Sequence, residues 1–275
     1  LVAEADESDG TFLLLFPTIA VTTNIDLEHL DFYQDINEIK AAFLSFLNKV
    51  PFYGLDIICI DNANVQSLIP QLKRRYMTYG LSKQADLRAE NISYDGFITS
   101  FKVLYKDKEM GDIVLALPGI HNVVNALAAC GVAIELDIPF RKVREALEGF
   151  GGIHRRLEMK WNGAIKLIDD YGHHPTEIKA TLAAVRQMWK GRIVVVFQPH
   201  RYTRTKALME EFATSFNEAD VLIVTEIYAA SEEKIEGVDG QGLSETIRAS
   251  GHKNVMFAAS KEDAAEGVLD RKSVV

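Results

Sequence analysis

Residues 167 to 177 read LIDDYGHHPTE, so that Asp169, Asp170, Tyr171, His173 and His174 crowd together directly behind an apolar run. A second run, VVVFQPHRYTRT, delivers His200, Arg201, Tyr202 and Arg204 in the same way. Two arginines, a histidine and a tyrosine after a buried strand have no core-packing role, which points to recognition of an anion. A third run, LIVTEIYAASEEK, again follows apolar residues with charged ones. The helix expected from Pro175 adds unpaired amides and its positive dipole end, which favours a phosphate or carboxylate close by.

The N-terminal part carries the opposite charge. LVAEADESD supplies Glu4, Asp6, Glu7 and Asp9, and TIAVTTNIDLEHLDFY supplies Asp26, Glu28, His29 and Asp31. Carboxylates with one imidazole at neighbouring strand ends suit a hard divalent cation, with Mg²⁺ beside a nucleotide phosphate the usual occupant. A solvated turn accounts for the same acidic runs, and helix capping by a histidine accounts for GHHP. Asn122 and Asn125 stand one helical turn apart; a capping role explains the first but not the second.

These residues need a frame. Strand-like and helix-like runs alternate along the chain, which predicts an α/β fold with parallel strands and crossover helices. TIAVTTNI and LDIICID read as strands, and INEIKAAFLSFLNKVP as a helix with Ile36, Ile39, Phe43, Leu44, Phe46 and Leu47 on its core stripe. NVQSLIPQL reads as a short helix. Between about residues 75 and 117 short alternating runs predict antiparallel strands joined by Asp-Gly and charged turns. Two helices, NVVNALAACGVAIEL and FRKVREALEGF, lead to the pair Gly151-Gly152, where a domain boundary is expected. The expected architecture is two α/β domains, one over 1–150, mostly parallel with a small antiparallel sheet, and one over 151–275. In the second domain AIKLIDD, RIVVVFQ, DVLIVTEI and NVMFAAS read as strands. RIVVVFQ is apolar throughout, as a strand buried on both faces should be. TKALMEEFATSFNEA reads as one helix. In an open α/β sheet ligands collect outside the carboxyl ends of the strands. The rims of both domains are therefore expected to meet in one cleft, one wall acidic and the other cationic.

Composition sets the outer limits. With 275 residues and 48% apolar content the chain can bury a large core. A net charge of -9 excludes a nucleic-acid groove or an anionic membrane surface as the main partner. Cys59 and Cys130 sit in apolar runs and read as buried small hydrophobes of a reducing cytoplasm. No run approaches the roughly 18 apolar residues of a membrane span. The opening residues carry no signal-peptide pattern, and the lack of an initiator Met together with a missing final strand reads as a fragment.

In order along the chain, EADESDGTF, TNIDLEHLDFY, PGIHNVVNALAA, GGIHRRLE, DDYGHHPTEIKATLAAVR, FQPHRYTRT and EIYAASEEKIEGVDG resemble the run of motifs in the Mur ligases. DDYGHHPTE with HRYTRT is the pattern of the family's alanine-adding branch. The resemblance implies a three-domain cytoplasmic enzyme of peptidoglycan synthesis using ATP and Mg²⁺, with UDP-N-acetylmuramate and L-alanine as partners, of which this chain would supply most of a central ATPase-type domain (1–150) and of a doubly wound Rossmann-like C-terminal domain (151–275). It implies that Glu4 and His29 hold Mg²⁺, that Asn122, Asn125 and Arg156 contact the nucleotide, and that Asp170 accepts from the ribose hydroxyls. Tyr171 and His173 would face the reacting groups, and His200 and Arg204 the alanine carboxylate. No GxxxxGK[ST] run occurs in the chain, so the phosphate loop of the family is missing and the chain alone is expected to be inactive. Leu157 replaces an aromatic and Ser231 a glycine common in the family. A nucleotide-binding module without ligase activity, and the related ligase that reattaches recycled tripeptide, remain the alternatives.

Overall fold

The strand expected across LVAEADESD is absent, and the reason is local. Asp6 accepts from the Ser8 amide at 2.9 Å, and Asp9 accepts from the Thr11 amide at 2.9 Å and its hydroxyl at 2.6 Å. Such short side-chain turns compete with a strand ladder, and residues 11–14 close into a 3₁₀ turn. The computed structural model describes residues 1–30 and 32–270; Asp31, one of the acidic candidates, lies outside the described residues. The chain divides into two compact units, the first ending at Gly152 and the second starting at Ile153.

The first unit is built on a six-stranded sheet whose spatial order follows the sequence. Its strands are β1 (Ile19–Thr22), β2 (Leu55–Cys59), β3 (Tyr76–Gly80), β4 (Leu87–Asp95), β5 (Ile98–Tyr105) and β6 (Lys108–Leu115). β1 to β4 pair in parallel, and β4, β5 and β6 pair antiparallel. The expected parallel and antiparallel parts are thus one continuous sheet. Its hairpins turn through Gly96, with φ 56°, and through Lys106 and Asp107, with φ 49° and 64°, as the Asp-Gly and charged-turn signals predict.

Two layers of helix cover this sheet. α1 (Ile36–Leu47), capped by Asp35 on the amides of Asn37 and Glu38, buries Ile39, Phe46 and Leu47 with Ala20, Ile58 and Val65. α2 (Ala63–Gln66) is a single turn, continued by a 3₁₀ turn at 69–71 that contains Pro70. α3 (Ile120–Glu135) buries Val123, Leu127 and Cys130 against Ile57, Tyr79, Leu87 and Phe101. α4 (Phe140–Glu148) packs beside β6. Both cysteines are buried and unbridged, as their apolar settings predict.

β2 is buried at every position, and one of those positions is Asp56. Its side chain is 0% exposed, and neither carboxylate oxygen finds a hydrogen-bond partner among the described residues. Burial pushes its pKa up to about 7 against the opposing pull of the Arg74 charge.

The second unit departs further from expectation. β7 (Glu158–Asn162) and β8 (Lys166–Asp169) form a two-stranded antiparallel hairpin. β8 is the AIKLIDD strand, so it does not continue the parallel sheet. The signal for the hairpin is Asn162-Gly163 between two alternating runs. After α5 (Pro175–Met188), β9 (Val194–Phe197), β10 (Val221–Thr225) and β11 (Val255–Ala258) make a three-stranded parallel sheet in the order β11-β10-β9. β10 is the strand buried throughout. Among the described residues β9 is an edge strand with Val196 50% exposed, although RIVVVFQ reads as a central one. Its composition is right for burial, but strand order is not encoded in composition.

TKALMEEFATSFNEA breaks at Leu208, with φ -111°, into α6 (Tyr202–Ala207) and α7 (Met209–Ala213). α8 (Gly240–Ala249) and α9 (Lys261–Asp270) complete the unit. α5, α7 and α8 bury Ile178, Leu182, Phe212, Leu243 and Ile247 on one face of the sheet. α9 places Ala264 against Val221, Ile223 and Ala258 on the other. Helices on both faces make this a doubly wound unit, as expected.

Candidate functional site

Backbone pairing of β9 with β10 runs on past the two strands and sets the site. Tyr228 N donates to Pro199 O and Arg201 N to Tyr228 O, both at 2.8 Å, so His200 and Tyr228 lie side by side as an isolated parallel bridge. Their rings stand 5.5 Å apart at 32°. His173 lies 5.9 Å from His200, and Tyr171 meets His173 edge-on at 5.3 Å. Tyr171, His173, His200 and Tyr228 therefore form a continuous row of rings at one rim of the second unit. The sequence names the first three; Tyr228, 56% exposed, is added by the bridge.

Arg204 follows His200 by one helical turn, and its Nη1 lies 3.2 Å from His200 Nδ1 and 3.4 Å from the His200 carbonyl. A guanidinium only donates, so Nδ1 is the acceptor and the proton of the neutral ring sits on Nε2. Burial, followed by the charges of Arg204, His173 and Arg201, holds the His200 pKa below its ordinary value, against a weaker opposing pull from Glu232. His200 is thus a neutral donor at neutral pH. With the Arg204 guanidinium it offers N–H groups and positive charge suited to a carboxylate.

His173 has the opposite tautomer. Its Nδ1 lies 3.1 Å from the Tyr171 carbonyl, which can only accept, so the lone pair of the neutral ring is on Nε2. His174 does something else. It is 5% exposed and caps α5, its Nδ1 accepting from the Thr176 amide at 3.3 Å. Of the two adjacent imidazoles, one is structural and one belongs to the row.

Asp170 is engaged with its own unit. Oδ2 accepts from the Leu157 amide at 2.8 Å, and Oδ1 accepts from the Gly172 amide at 2.8 Å and the Thr181 hydroxyl at 3.2 Å. A carboxylate offers about four lone-pair sites, so one further donor, such as a sugar hydroxyl, can still be taken. Leu157 is buried with φ 46°, and Arg155 has φ 62°. The Arg155 and Arg156 guanidinium carbons stand 4.5 and 5.9 Å from the Tyr171 ring centre. Arg156 is also paired with Glu177 at 3.2 Å.

The turn after Tyr228 carries backbone strain. Ala230 and Ser231 have φ 47° and 72°, as Arg201 before α6 has 70°, a region that costs a residue with a Cβ about 1 to 2 kcal/mol. Glu232 ties this turn to α6, accepting from the Thr203 hydroxyl at 2.6 Å and its amide at 3.1 Å. Ser231→Gly is expected to stabilise the protein by about 0.5 to 1 kcal/mol, the relieved strain exceeding the added freedom of the unfolded chain. A denaturant midpoint that falls would contradict this.

In the first unit, Glu7 places its Oε1 3.5 Å from His29 Nε2. Glu4 is exposed. Tyr33 donates its hydroxyl to the Glu7 carbonyl at 2.7 Å, which anchors the acidic run to the His29 turn. Among the described residues no group of three or more His, Cys, Asp or Glu side chains is arranged to hold a metal ion. One imidazole with nearby carboxylates still fits Mg²⁺ as a partial set, because Mg²⁺ keeps waters and takes phosphate oxygens from its substrate. Asn122 is not the cap of α3; Gly119 occupies that position with φ 93°, and Asn122 Nδ2 donates to the Pro118 carbonyl at 2.7 Å. Asn125 is exposed one turn further on.

Comparison with known proteins covers both units. The Mur ligase middle domain matches residues 3–133, and the Mur ligase glutamate ligase domain matches residues 155–273. The UDP-N-acetylmuramate--L-alanine ligase of Geotalea daltonii is 54% identical over 270 residues, 98% of this chain and 59% of that protein. The enzyme of the same name from Myxococcus xanthus is 51% identical over 272 residues, again 98% of this chain and 58% of its own length. The crystal structure of the UDP-N-acetylmuramate-alanine ligase of Thermotoga maritima superposes with a TM-score of 0.75 at 27% identity, covering 95% of this chain and 56% of that one. The chain thus spans about three-fifths of the length of the curated relatives it matches.

Proposed function

The chain belongs to the Mur ligase family, and from that premise we propose that it forms the ATPase and amino-acid-binding parts of a cytoplasmic ligase joining L-alanine to UDP-N-acetylmuramate. The observation that carries this reading is the row Tyr171–His173–His200–Tyr228 with Arg204 against it, inside a chain 54% identical to an enzyme of that name.

The reaction has two stages. The lactyl carboxylate takes the γ-phosphoryl group of ATP as the bond to the β-phosphate oxygen breaks, giving an acyl phosphate and ADP. The amine of alanine then attacks the acyl carbon, and the tetrahedral intermediate expels phosphate. Like-charge repulsion between carboxylate and triphosphate is the obstacle to the first stage, so cationic neutralisation is needed. Mg²⁺, held on the protein side by His29 and Glu4, supplies that neutralisation when bound. Asn122, Asn125 and Arg156 contact the nucleotide, and Asp170 accepts from the ribose hydroxyls with its remaining lone pair. Arg204 and His200 Nε2–H hold the alanine carboxylate. His173 Nε2, the basic nitrogen of its ring, takes the proton that the alanine ammonium must lose before its amine attacks, and Tyr171 beside it walls that position.

The test is phosphate release by the full-length protein with ATP, Mg²⁺, UDP-N-acetylmuramate and a panel of amino acids and peptides. Release dependent on L-alanine is expected. Release that needs a tripeptide instead, or no release with any acceptor, would overturn the reading. His29→Ala is expected to raise the Mg²⁺ concentration for half-maximal turnover by about tenfold; an unchanged Mg²⁺ titration would remove His29 from the metal.

A further inference from the structure

Glu177 is absorbed by none of these roles, yet it contacts two of the residues that carry them, Arg156 and His173. It sits in the first turn of α5 and is partly buried. Its Oε2 accepts from the His173 amide at 3.0 Å and the His174 amide at 3.2 Å and lies 3.7 Å from His173 Nδ1. Its Oε1 accepts from Arg156 Nη1 at 3.2 Å. A helix cap needs only the amide contacts. The reach to Arg156, 21 residues back in the chain, and the closeness to the His173 ring go beyond a cap.

Burial alone would push the Glu177 pKa up, but the His173 amide, the His173 ring when protonated, the His174 amide and Arg156 outweigh it and hold the carboxyl below its ordinary value. It is therefore an anion at neutral pH. The two sides it joins are otherwise tied by stacking of Arg155 and Arg156 on Tyr171 and by the Tyr171 amide donating to Arg155 O at 2.7 Å.

Resting on the ligase reading, we propose that Glu177 is a positioning residue that locks the nucleotide-facing Arg156 and the amine-facing His173 into one rigid arrangement. Each oxygen serves one side: Oε2 fixes the loop that aims His173, and Oε1 fixes the guanidinium. Groups that must be held within a fraction of an ångström lose rate steeply when such a support is removed.

The experiment uses the full-length protein and first measures alanine-dependent phosphate release by the wild type; absence of release there sinks the ligase reading itself, separately from any effect of the Glu177 variants. Glu177→Ala is expected to lower kcat by roughly 10- to 100-fold and to raise the Michaelis constant for ATP, while that for alanine, set by His200 and Arg204, stays within about twofold. Glu177→Gln keeps an acceptor for the two amides but loses the charge opposite Arg156. It is expected to bring kcat back to within about fivefold of wild type while the Michaelis constant for ATP stays raised. A cap with no positioning role would lower the unfolding midpoint in both variants and leave kcat per folded molecule and both Michaelis constants unchanged. That result overturns the proposal, as does an equal rise in both Michaelis constants. If Glu177→Ala does not fold, an unchanged Michaelis constant for ATP in Glu177→Gln overturns it alone.

Discussion

Arg204→Lys is expected to raise the Michaelis constant for alanine between about 10- and 100-fold while changing that for ATP less than twofold. The expectation follows from donor geometry. The guanidinium presents five N–H groups in a planar fork, and its Nη1 donates to His200 Nδ1 at 3.2 Å. Lysine offers a point charge that cannot keep the His200 contact and a two-point grip on a carboxylate at once. Hydrogen bonds to charged groups contribute about 1.5 to 3 kcal/mol each, and every 1.4 kcal/mol is about tenfold in affinity. The loss also reaches His200, since without Arg204 the ring is no longer held in the tautomer that puts its proton on Nε2. Measured steady-state constants for both substrates check this. An equal increase for ATP and alanine would show that Arg204 supports the fold of the rim and does not read the amino acid.

Asp56→Val is expected to give the largest change in stability. A buried carboxyl with no partner is costly in its charged form, and Asp56 has neither exposure nor a hydrogen-bond partner among the described residues. Its pKa is pushed up to about 7 in the folded chain, against about 3.9 unfolded. The sign follows from proton binding. Between about pH 4 and pH 7 the folded state holds a proton that the unfolded state has lost, so stability falls as pH rises through that window and levels off above it. The full gap corresponds to on the order of 4 kcal/mol. Valine removes the charge and the orphaned oxygens together. At pH 8 the unfolding midpoint of the variant is expected to rise by about 5 °C or more, and at pH 4 by much less. Thermal unfolding at both pH values measures the contrast. A gain independent of pH would mean that the carboxyl is ionised in the folded chain at both.

Much of the site was legible in the chain because its parts are contiguous. DDYGHHPTE and QPHRYTRT each carry their chemistry within a few residues, and the turns that present them are set by local rules such as the capping box of His174 and Glu177. Tyr228 was harder. Its place beside His200 depends on β10 lying next to β9, a contact between residues far apart in sequence. Glu7 stood among seven acidic candidates, and only the fold of the turn at His29 brings its carboxylate to the ring.

The amino-acid sequence by itself determined the alternation of strands and helices, the charged loops after the apolar runs, and the hairpin turns of the first unit, because these rest on side-chain periodicity and on backbone preferences of single residues. The tertiary structure alone decided strand order, which sent AIKLIDD into a hairpin with β7 and left β9 at an edge. It also decided which of two neighbouring histidines became a cap, and that Asp56, within a strand buried throughout, would have no hydrogen-bond partner among the described residues. The physical reason is that a backbone amide accepts any strand as its partner. Which strand it receives, and what that burial does to each side chain, depends on the packing of the whole unit.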